Sequence, residues 1–399
     1  MKGMRFALIQ LLLAAAWLGA AGPRELAARL VPLGPEVLLA HNRSPDSPML
    51  AVQPGGDYVA AWDEEALPKG KLFYRYVTAG AEPPDEQPVT LVPQSRSPYV
   101  EAVTATPRGF DVLWSLYTDS QSYYFRRHLN LQGEAEGEPI PLGGSGTDWV
   151  WNVRGNGFMA GWVLRSAHGI AARRLTSSGR RTGPELRLNS RPVDASRASV
   201  MAVADGGFVA VWYGIVPGGS YAKTLRARRF SPSGKPLGPD FDVNDLPVGE
   251  GFGNGGDRSI FAVAAAPGGG FVVAWMSLRS LVLSFFDAAG RALGPGVPAV
   301  TGDRLDFPES MAFDDVGNLL LLWLQGPDDN LKLQLQLFDS HGSHLGPPED
   351  VNSAASGIYE ETWQGSVAWT GDSWLVLWLG GAFEQRYANA VFVRRFAAR

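Results

Sequence analysis

The residues best suited to catalysis are neighbouring acidic pairs and two nearby histidines. The acidic pairs are Asp314/Asp315, Asp328/Asp329 and Glu360/Glu361. Two facing carboxyl groups can hydrolyse a glycosidic bond, but adjacent carboxylates in loops are more often solvated or hold Ca²⁺ loosely. His341 and His344 could supply two metal ligands, but no third ligand follows at a suitable spacing. We therefore predict no catalytic residue, no metal site and no cofactor, with Ca²⁺ in the acidic loops as the alternative.

Other catalytic and cofactor motifs are missing or fall in the wrong setting. The chain has no cysteine and no Gly-x-Ser-x-Gly motif, which excludes disulfides, thiolate metal sites and that nucleophile geometry. The glycines at 206–207 and 268–270 each join two apolar runs, whereas a phosphate-binding loop opens a helix.

Ligand binding by aromatic rings beside charged groups is the chemistry that the sequence favours. Ring faces stack on the apolar side of a sugar or peptide, while charged groups fix its orientation. Such residues cluster in connections of variable length. We predict a ligand-binding set of Tyr117, Tyr213, Tyr221, Arg258, Arg304, Asp306, Tyr359, Glu360, Trp363 and Arg386. The alternative for each residue is ordinary packing onto the strands beneath.

Seven tryptophans that end short apolar runs indicate what positions these residues. The runs are YVAAW, FDVLW, FMAGW, FVAVW, FVVAW, LLLLW and WLVLW, ending at Trp62, Trp114, Trp162, Trp212, Trp275, Trp323 and Trp378. A spacing of about fifty residues is typical of one supersecondary unit repeated along the chain. We predict that these tryptophans pack between repeats; ligand stacking is the alternative.

One copy of the repeat shows four short strands and no helical periodicity. Residues 199–204, 208–212, 225–230 and 241–244 are apolar or alternating runs separated by Gly- and Pro-rich turns. The second run is apolar on both faces, so it needs cover above and below. Four-stranded sheets packed around an axis give that cover. The sequence therefore predicts an all-β, seven-bladed β-propeller of four-stranded antiparallel blades.

The two ends of the chain complete one repeat. The last copy ends at Arg399 without a fourth strand, while residues 33–39 match residues 237–243 of a complete copy. We predict that a closing strand at about 33–41 pairs in the last blade, which removes exposed sheet edges. The predicted domain is a single propeller over 22–399, with blades at about 47–92, 98–142, 147–189, 198–244, 258–300, 309–352 and 365–399.

A stripe of arginines along the third strands could suggest a polyanion ligand. It comprises Arg75, Arg127, Arg173, Arg174, Arg228, Arg229, Arg394 and Arg395. The net charge of -5 gives no general attraction for nucleic acid. We therefore expect these arginines to pair with neighbouring blades or solvent, and we predict no nucleic-acid partner.

The repeat resembles that of exported bacterial repeat proteins. The segments GGFVAVW…LRARRFSPSGKPLGPDFDVN and GGFVVAW…LSFFDAAGRALGPGVPAV are similar to their pattern of a Gly-Phe-Val-Val-x-Trp strand, an Arg-x-Phe-Asp-x-x-Gly turn and a Leu-Gly-x-Glu-Phe-x-Val-Asn ending. The resemblance covers residues 33–399. It implies a propeller-like fold and an envelope or extracellular setting, and it brings no catalytic motif.

The N-terminus has the features of a secretory signal peptide. Lys2 and Arg5 precede an apolar stretch over residues 6–18, and small residues follow at 19–22. We predict cleavage after Ala21 and a periplasmic or extracellular protein; an uncleaved membrane anchor is the alternative. No later stretch approaches the ~20 apolar residues of a spanning helix.

These observations predict an exported, monomeric and non-catalytic binding or scaffold module that recognises a protein or a carbohydrate. One alternative is a secreted polysaccharide hydrolase or lyase that uses carboxylates at the channel mouth, namely Asp303, Asp306, Glu360 and Glu361. A structural envelope protein without a small ligand is the other.

Overall fold

The computed structural model describes most of the chain after the predicted signal peptide. The described residues are 29–41, 45–64, 70–81, 89–95, 98–118, 121–143, 147–153, 157–218, 223–248, 261–277, 280–301, 305–325, 332–352, 365–380 and 390–399. Apart from the 3-10 turn Arg165–Ala167, their regular secondary structure is entirely β-strand. Residues 1–21, where we predict the signal peptide, lie outside this set.

The strands form seven antiparallel sheets, one for each predicted blade. Strands β1 (Leu30–Pro32) and β2 (Val37–His41) precede blade 1, which contains β3 (Pro45–Val52), β4 (Tyr58–Glu64), β5 (Gly70–Val77) and β6 (Val89–Ser95). Blade 2 contains β7 (Pro98–Thr106), β8 (Gly109–Thr118), β9 (Gln121–Leu129) and β10 (Ala135–Gly143). Blade 3 contains β11 (Trp149–Val153), β12 (Gly157–Leu164), β13 (Gly169–Leu175) and β14 (Arg181–Arg187).

The remaining blades follow the same order. Blade 4 contains β15 (Asp194–Ala202), β16 (Phe208–Ile215), β17 (Lys223–Phe230) and β18 (Phe241–Asp242). Blade 5 contains β19 (Phe261–Ala265), β20 (Phe271–Met276), β21 (Ser280–Phe286) and β22 (Val297–Thr301). Blade 6 contains β23 (Leu305–Phe313), β24 (Leu319–Gln325), β25 (Lys332–Phe338) and β26 (Glu349–Asp350). Blade 7 contains β27 (Gly365–Trp369), β28 (Trp374–Gly380) and β29 (Ala390–Ala398).

The N-terminal strands complete blade 7 and close the ring. In the antiparallel ladder with β29, Leu38 lies opposite Phe392 and Leu30 lies opposite Ala398. The Leu33 N–H donates to the Arg395 carbonyl over 2.9 Å, as the Leu237 N–H does to that of Arg229. The predicted seven-bladed propeller, closed by pairing of its two ends, is confirmed.

The closing segment begins before the predicted 33–41, because both β1 and β2 pair with β29. Blades 2 to 6 join their third and fourth strands by a turn. In blade 7 the two chain ends replace that turn and extend the ladder as far as Arg29 and Arg399. These two residues exchange backbone hydrogen bonds of 2.8 and 2.9 Å, so pairing begins at β1.

The core consists of seven apolar clusters, one between each pair of neighbouring blades. In every cluster the second-strand tryptophan of one blade packs against the preceding blade. Trp62, for example, lies with Leu377 of blade 7 and with Leu39 of the closing strand. Six of the seven tryptophans are at most 2% exposed. Trp162 is the exception, because it is only half-buried at the edge of its cluster.

Replacing a fully buried second-strand tryptophan should destabilise the ring far more than replacing the half-buried Trp162. Trp275 is 0% exposed, so Trp275→Ala leaves a large cavity and should lower the free energy of unfolding by about 3–5 kcal/mol. Trp162→Ala is the matched control and should lower it by clearly less. Urea denaturation of both variants measures the difference. Equal losses would contradict the role given to burial.

Removal of the closing strand should open the ring. The chain 42–399 lacks the buried side chains of Leu30, Leu39 and Ala40, and each leucine contributes about 1.5–3 kcal/mol. It also exposes the edge of β29, which favours association. We expect a lower melting temperature and oligomers in light scattering, whereas the control chain 29–399 should match the full propeller. An unchanged, monomeric 42–399 would refute closure by these strands.

Candidate functional site

The two faces of the ring differ in the regularity of their connections. Successive strands of a blade alternate in direction, so the first-to-second and third-to-fourth connections lie on one face, which we call the turn face. The second-to-third connections and the connections between blades lie on the opposite face, which we call the variable-loop face.

The turn face is built from one repeated device. Each third-to-fourth turn of blades 2 to 6 holds a glycine with a φ of 76 to 86°, which a residue with a side chain rarely adopts. The glycine N–H donates to the carbonyl three residues earlier. The residue that opens the turn accepts, through its side chain, the N–H four residues later. These opening residues are Asn130, Thr176, Ser231, Asp287 and Asp339. Their polar side chains serve the turn, so this face is structurally uniform.

The variable-loop face carries connections of very different length. The second-to-third connection comprises only residues 119–120 in blade 2 but residues 381–389 in blade 7. Between blades, residues 302–304 link blades 5 and 6, whereas residues 243–260 link blades 4 and 5. Loops on a rigid scaffold are where binding residues are usually found. This face is therefore the candidate functional surface.

Most of the predicted ligand-binding residues belong to these connections. Outside the described residues lie Tyr221, Arg258, Arg304, Tyr359, Glu360, Trp363 and Arg386. Tyr117 and Asp306 lie in β8 and β23, and their side chains are likewise outside the description. Tyr213 is 8% exposed and lies in the core between blades 4 and 5. The structure thus leaves their ligand role as a prediction, and it places the Tyr213 ring among packing residues.

Third-strand arginines make hydrogen bonds within their own blades. The side chains of Arg173, Arg228 and Arg394 donate over 2.7–3.0 Å to the carbonyls of Gly183 in β14, Gly238 before β18 and Gly34 before β2. Gln336 makes the same bond to Gly346 in blade 6 over 2.6 Å. An uncharged side chain fills the position equally well, so donation to the carbonyl is the shared property. The arginine stripe is thereby accounted for structurally at these positions.

A second set of structural residues sits where the fourth strands end, near the variable-loop face. Asn189, Asn244 and Asn352 each accept, through the side-chain oxygen, the N–H of a residue at the start of the third strand, over 2.9–3.1 Å. The Arg191 guanidinium contacts the buried carboxylate of Asp240 at 2.6 Å and so links the blade 3–4 connection to blade 4. Burial opposes ionisation of Asp240, but the hydrogen bonds from Arg191 and the Ser190 backbone outweigh it and lower the pKa.

Blade 3 presents a pair of tryptophans that the repeat pattern did not single out. Trp149 and Trp151 alternate along β11, and their rings stack with centroids 5.9 Å apart. Both rings are half-buried, and the Trp151 indole N–H donates to the Ala198 carbonyl over 3.3 Å. The Trp-Val-Trp alternation in an innermost strand was the available signal. Partly exposed, fixed rings of this kind can stack on a sugar or on an apolar side chain.

Blade 1 buries a carboxyl group that no other blade contains at the same position. Asp63 directly follows Trp62, and the corresponding residues of the other blades are Ser115, Val163, Tyr213, Met276, Leu324 and Leu379. Asp63 is 1% exposed. Its Oδ1 accepts the Val100 N–H of blade 2 over 3.0 Å, and its buried Oδ2 has no hydrogen-bond partner among the described residues.

A second carboxylate faces Asp63. Asp46 lies directly opposite it in the ladder of β3 and β4, and the following residue, Ser47, has a φ of +47°, which marks local backbone strain. Burial, and then the charge of Asp46, raise the pKa of Asp63 well above its usual value, against the opposing effect of the Val100 hydrogen bond. Asp63 therefore keeps its proton to a higher pH than an exposed aspartate.

Two features are absent from the described part of the chain. No group of three or more histidine, aspartate or glutamate side chains there is placed to hold a metal ion. No helix there has the length and apolar character needed to cross a membrane.

Comparison with known proteins gives the fold alone. No protein-family model matches the sequence, and no curated protein is significantly similar to it. Sqt1 from Chaetomium thermophilum is similar in structure at 14% identity and a TM-score of 0.48, over 88% of this chain and 83% of that chain. Prolyl oligopeptidase B from Galerina marginata is similar at 10% identity and a TM-score of 0.50, over 90% of this chain and 51% of that chain.

Neutralising Asp63 should change the pH dependence of stability. Its pKa is raised on folding, so the stability that the protonated group contributes is present below the unfolded pKa of about 3.9 and is lost as pH rises through the folded pKa. Asp63→Asn removes this loss and keeps an oxygen for the Val100 N–H. We expect a higher melting temperature than wild type at pH 8 and a small difference at pH 4. Glu64→Gln, at the half-exposed next residue, is the control. A variant less stable at pH 8 would show that the charged form is preferred.

Proposed function

We propose that this protein is an exported, non-catalytic binding module that recognises a protein or a carbohydrate through the variable-loop face of its propeller. The observation that carries the proposal is the contrast between the two faces. One face repeats the same hydrogen-bonded turn, which leaves little chemical variety. The other carries connections of differing length, in which most of the predicted aromatic and charged residues lie.

Export and compartment belong to the same proposal. The predicted signal peptide and the resemblance to exported bacterial repeat proteins support a periplasmic or extracellular setting. A protein in that setting without cysteine is held by packing alone, and the seven continuous clusters between blades are consistent with this.

The half-buried Trp149 and Trp151 favour a ligand with a flat apolar side, such as a pyranose ring or an aromatic side chain. Stacking needs a ring that is fixed in place before binding, because ordering a mobile side chain costs affinity. The hydrogen bond of the Trp151 indole and the mutual stacking of the two rings supply that order.

Direct binding assays test the proposal. The chain 22–399 is screened on a glycan array and against purified envelope proteins, and affinities of hits are measured by calorimetry. Trp149→Ala and Trp363→Ala should weaken binding of a genuine ligand by about tenfold or more. Lys235→Ala, on the turn face, is the matched control and should bind normally. Negative screens, or equal weakening by the control, would refute recognition by the variable-loop face.

A polysaccharide hydrolase or lyase is the alternative function. The observation in its favour is the cross-strand pair of Asp46 and Asp63, in which one carboxyl is desolvated and keeps its proton, as a general acid does. Release of reducing or unsaturated ends from polysaccharides, abolished by Asp63→Asn, would establish this activity and replace the proposal above.

A further inference from the structure

Leucines at one repeat position lie on the turn-face side of four consecutive blades, and three of the four are exposed. Leu237, Leu293 and Leu33, of blades 4, 5 and 7, are 57, 56 and 45% exposed. Leu345 of blade 6 occupies the same position and is half-buried. In all four, the backbone N–H donates to a third-strand carbonyl over 2.9 Å, so the four leucines are equivalent in backbone geometry.

The backbone arrangement does not require a leucine at this repeat position. The corresponding residues of blades 2 and 3 are Glu136 and Thr182, each in the same ladder register with its third strand. A single exposed leucine needs no explanation, but four equivalent leucines in adjacent blades, three of them exposed, form a pattern beside the polar counterparts of blades 2 and 3. Val316, 84% exposed in the first-to-second turn of blade 6, lies on the same face. We call these five side chains the apolar arc.

Cationic side chains flank the apolar arc. Lys235 and Arg291 each stand two residues before an arc leucine, and Arg29 lies at the turn-face end of β1. In the Arg291–Asp287 pair the arginine side chain is 82% exposed and the aspartate 22%; in the Arg29–Glu349 pair the values are 68% and 20%. The positive partner is the more accessible one in these two pairs, whereas in the Arg229–Asp205 pair of blade 4 the aspartate is 46% exposed and the arginine 3%. The cations open to an approaching surface are therefore Lys235, Arg291 and Arg29.

The N-terminal segment leaves the ring beside the apolar arc. Arg29 pairs with Arg399 at the turn-face end of blade 7. The preceding chain contains the apolar stretch 6–18, and residues 19–28 between them can span at most about 35 Å. Until the predicted cleavage after Ala21, this apolar stretch is therefore attached to the ring on the turn-face side.

We propose that the apolar arc and its flanking cations dock the turn face onto an anionic lipid bilayer, which directs the variable-loop face away from the membrane. Leucine and valine side chains enter the boundary between headgroups and acyl chains, while Lys235 and the arginines meet the anionic headgroups. Such binding is shallow and reversible, because it buries a few side chains and inserts no backbone. It does not depend on which ligand the opposite face recognises.

Vesicle co-sedimentation tests the docking surface. The full chain and the chain 22–399 are each mixed with phosphatidylcholine vesicles, with or without phosphatidylglycerol. We expect binding to the anionic vesicles that weakens as salt is raised. The triple variant Leu33→Ser/Leu237→Ser/Leu293→Ser should reduce partitioning of 22–399 by about tenfold or more. Lys235→Gln/Arg291→Gln should reduce only the binding to anionic vesicles.

Controls separate docking from unfolding and from self-association. Leu246 is 42% exposed and lies in the connection between blades 4 and 5, on the variable-loop face. The Leu246→Ser variant should bind vesicles like wild type. Thermal melting checks that the triple variant is folded. We expect it to fold, because the three substituted leucines are exposed. The proposal is overturned if the chain ignores anionic vesicles, if the triple variant binds equally well, or if the triple variant instead converts an oligomer into a monomer.

Discussion

Each blade has a second strand that is mostly buried on both faces and carries a bulky tryptophan, and this strand must be covered on both sides. A neighbouring blade provides each cover, so no blade can be terminal. Trp62 of blade 1 is buried against blade 7 and against Leu39 of the closing strand in a single cluster. Burial of Trp62 therefore depends on ring closure, and ring closure depends on pairing of the chain ends. This coupling holds the ring closed by packing without any disulfide.

A ring built in this way separates its two faces by chemistry. On the turn face, polar side chains such as Asp287 and Asp339 are committed to the turns that they open. On the variable-loop face the connections are free to differ, because the strands beneath them are already fixed. Recognition can then change from blade to blade without disturbing the core, and the proposed binding function uses this freedom.

The most informative residues are those at which the repeat departs from its own pattern. Asp63 places a carboxyl where the other blades have an uncharged side chain, and Trp149 and Trp151 place two half-buried aromatic rings in one inner strand. Such departures cost stability or solubility, and natural proteins tend to retain them at functional sites. The apolar arc is a departure of the same kind. The two proposals together give an orientation in which the turn face rests on a membrane and the opposite face meets the ligand.

The sequence by itself determined the seven repeats, the four-stranded unit and the joining of the two ends. Strand periodicity, turn glycines and second-strand tryptophans are local signals, and they recur in each repeat. It also predicted that the arginine stripe pairs with neighbouring blades or solvent; Arg228 and Arg394 reach carbonyls of the preceding blades, while their bonds within their own blades were not predicted. It did not reveal the stacking of Trp149 on Trp151, the carboxyl of Asp63 facing Asp46, or the alignment of four equivalent leucines, three of them exposed. These depend on which residues the register and the ring bring together across strands and blades. Burial and proximity are properties of that three-dimensional arrangement, so only the tertiary structure decided them.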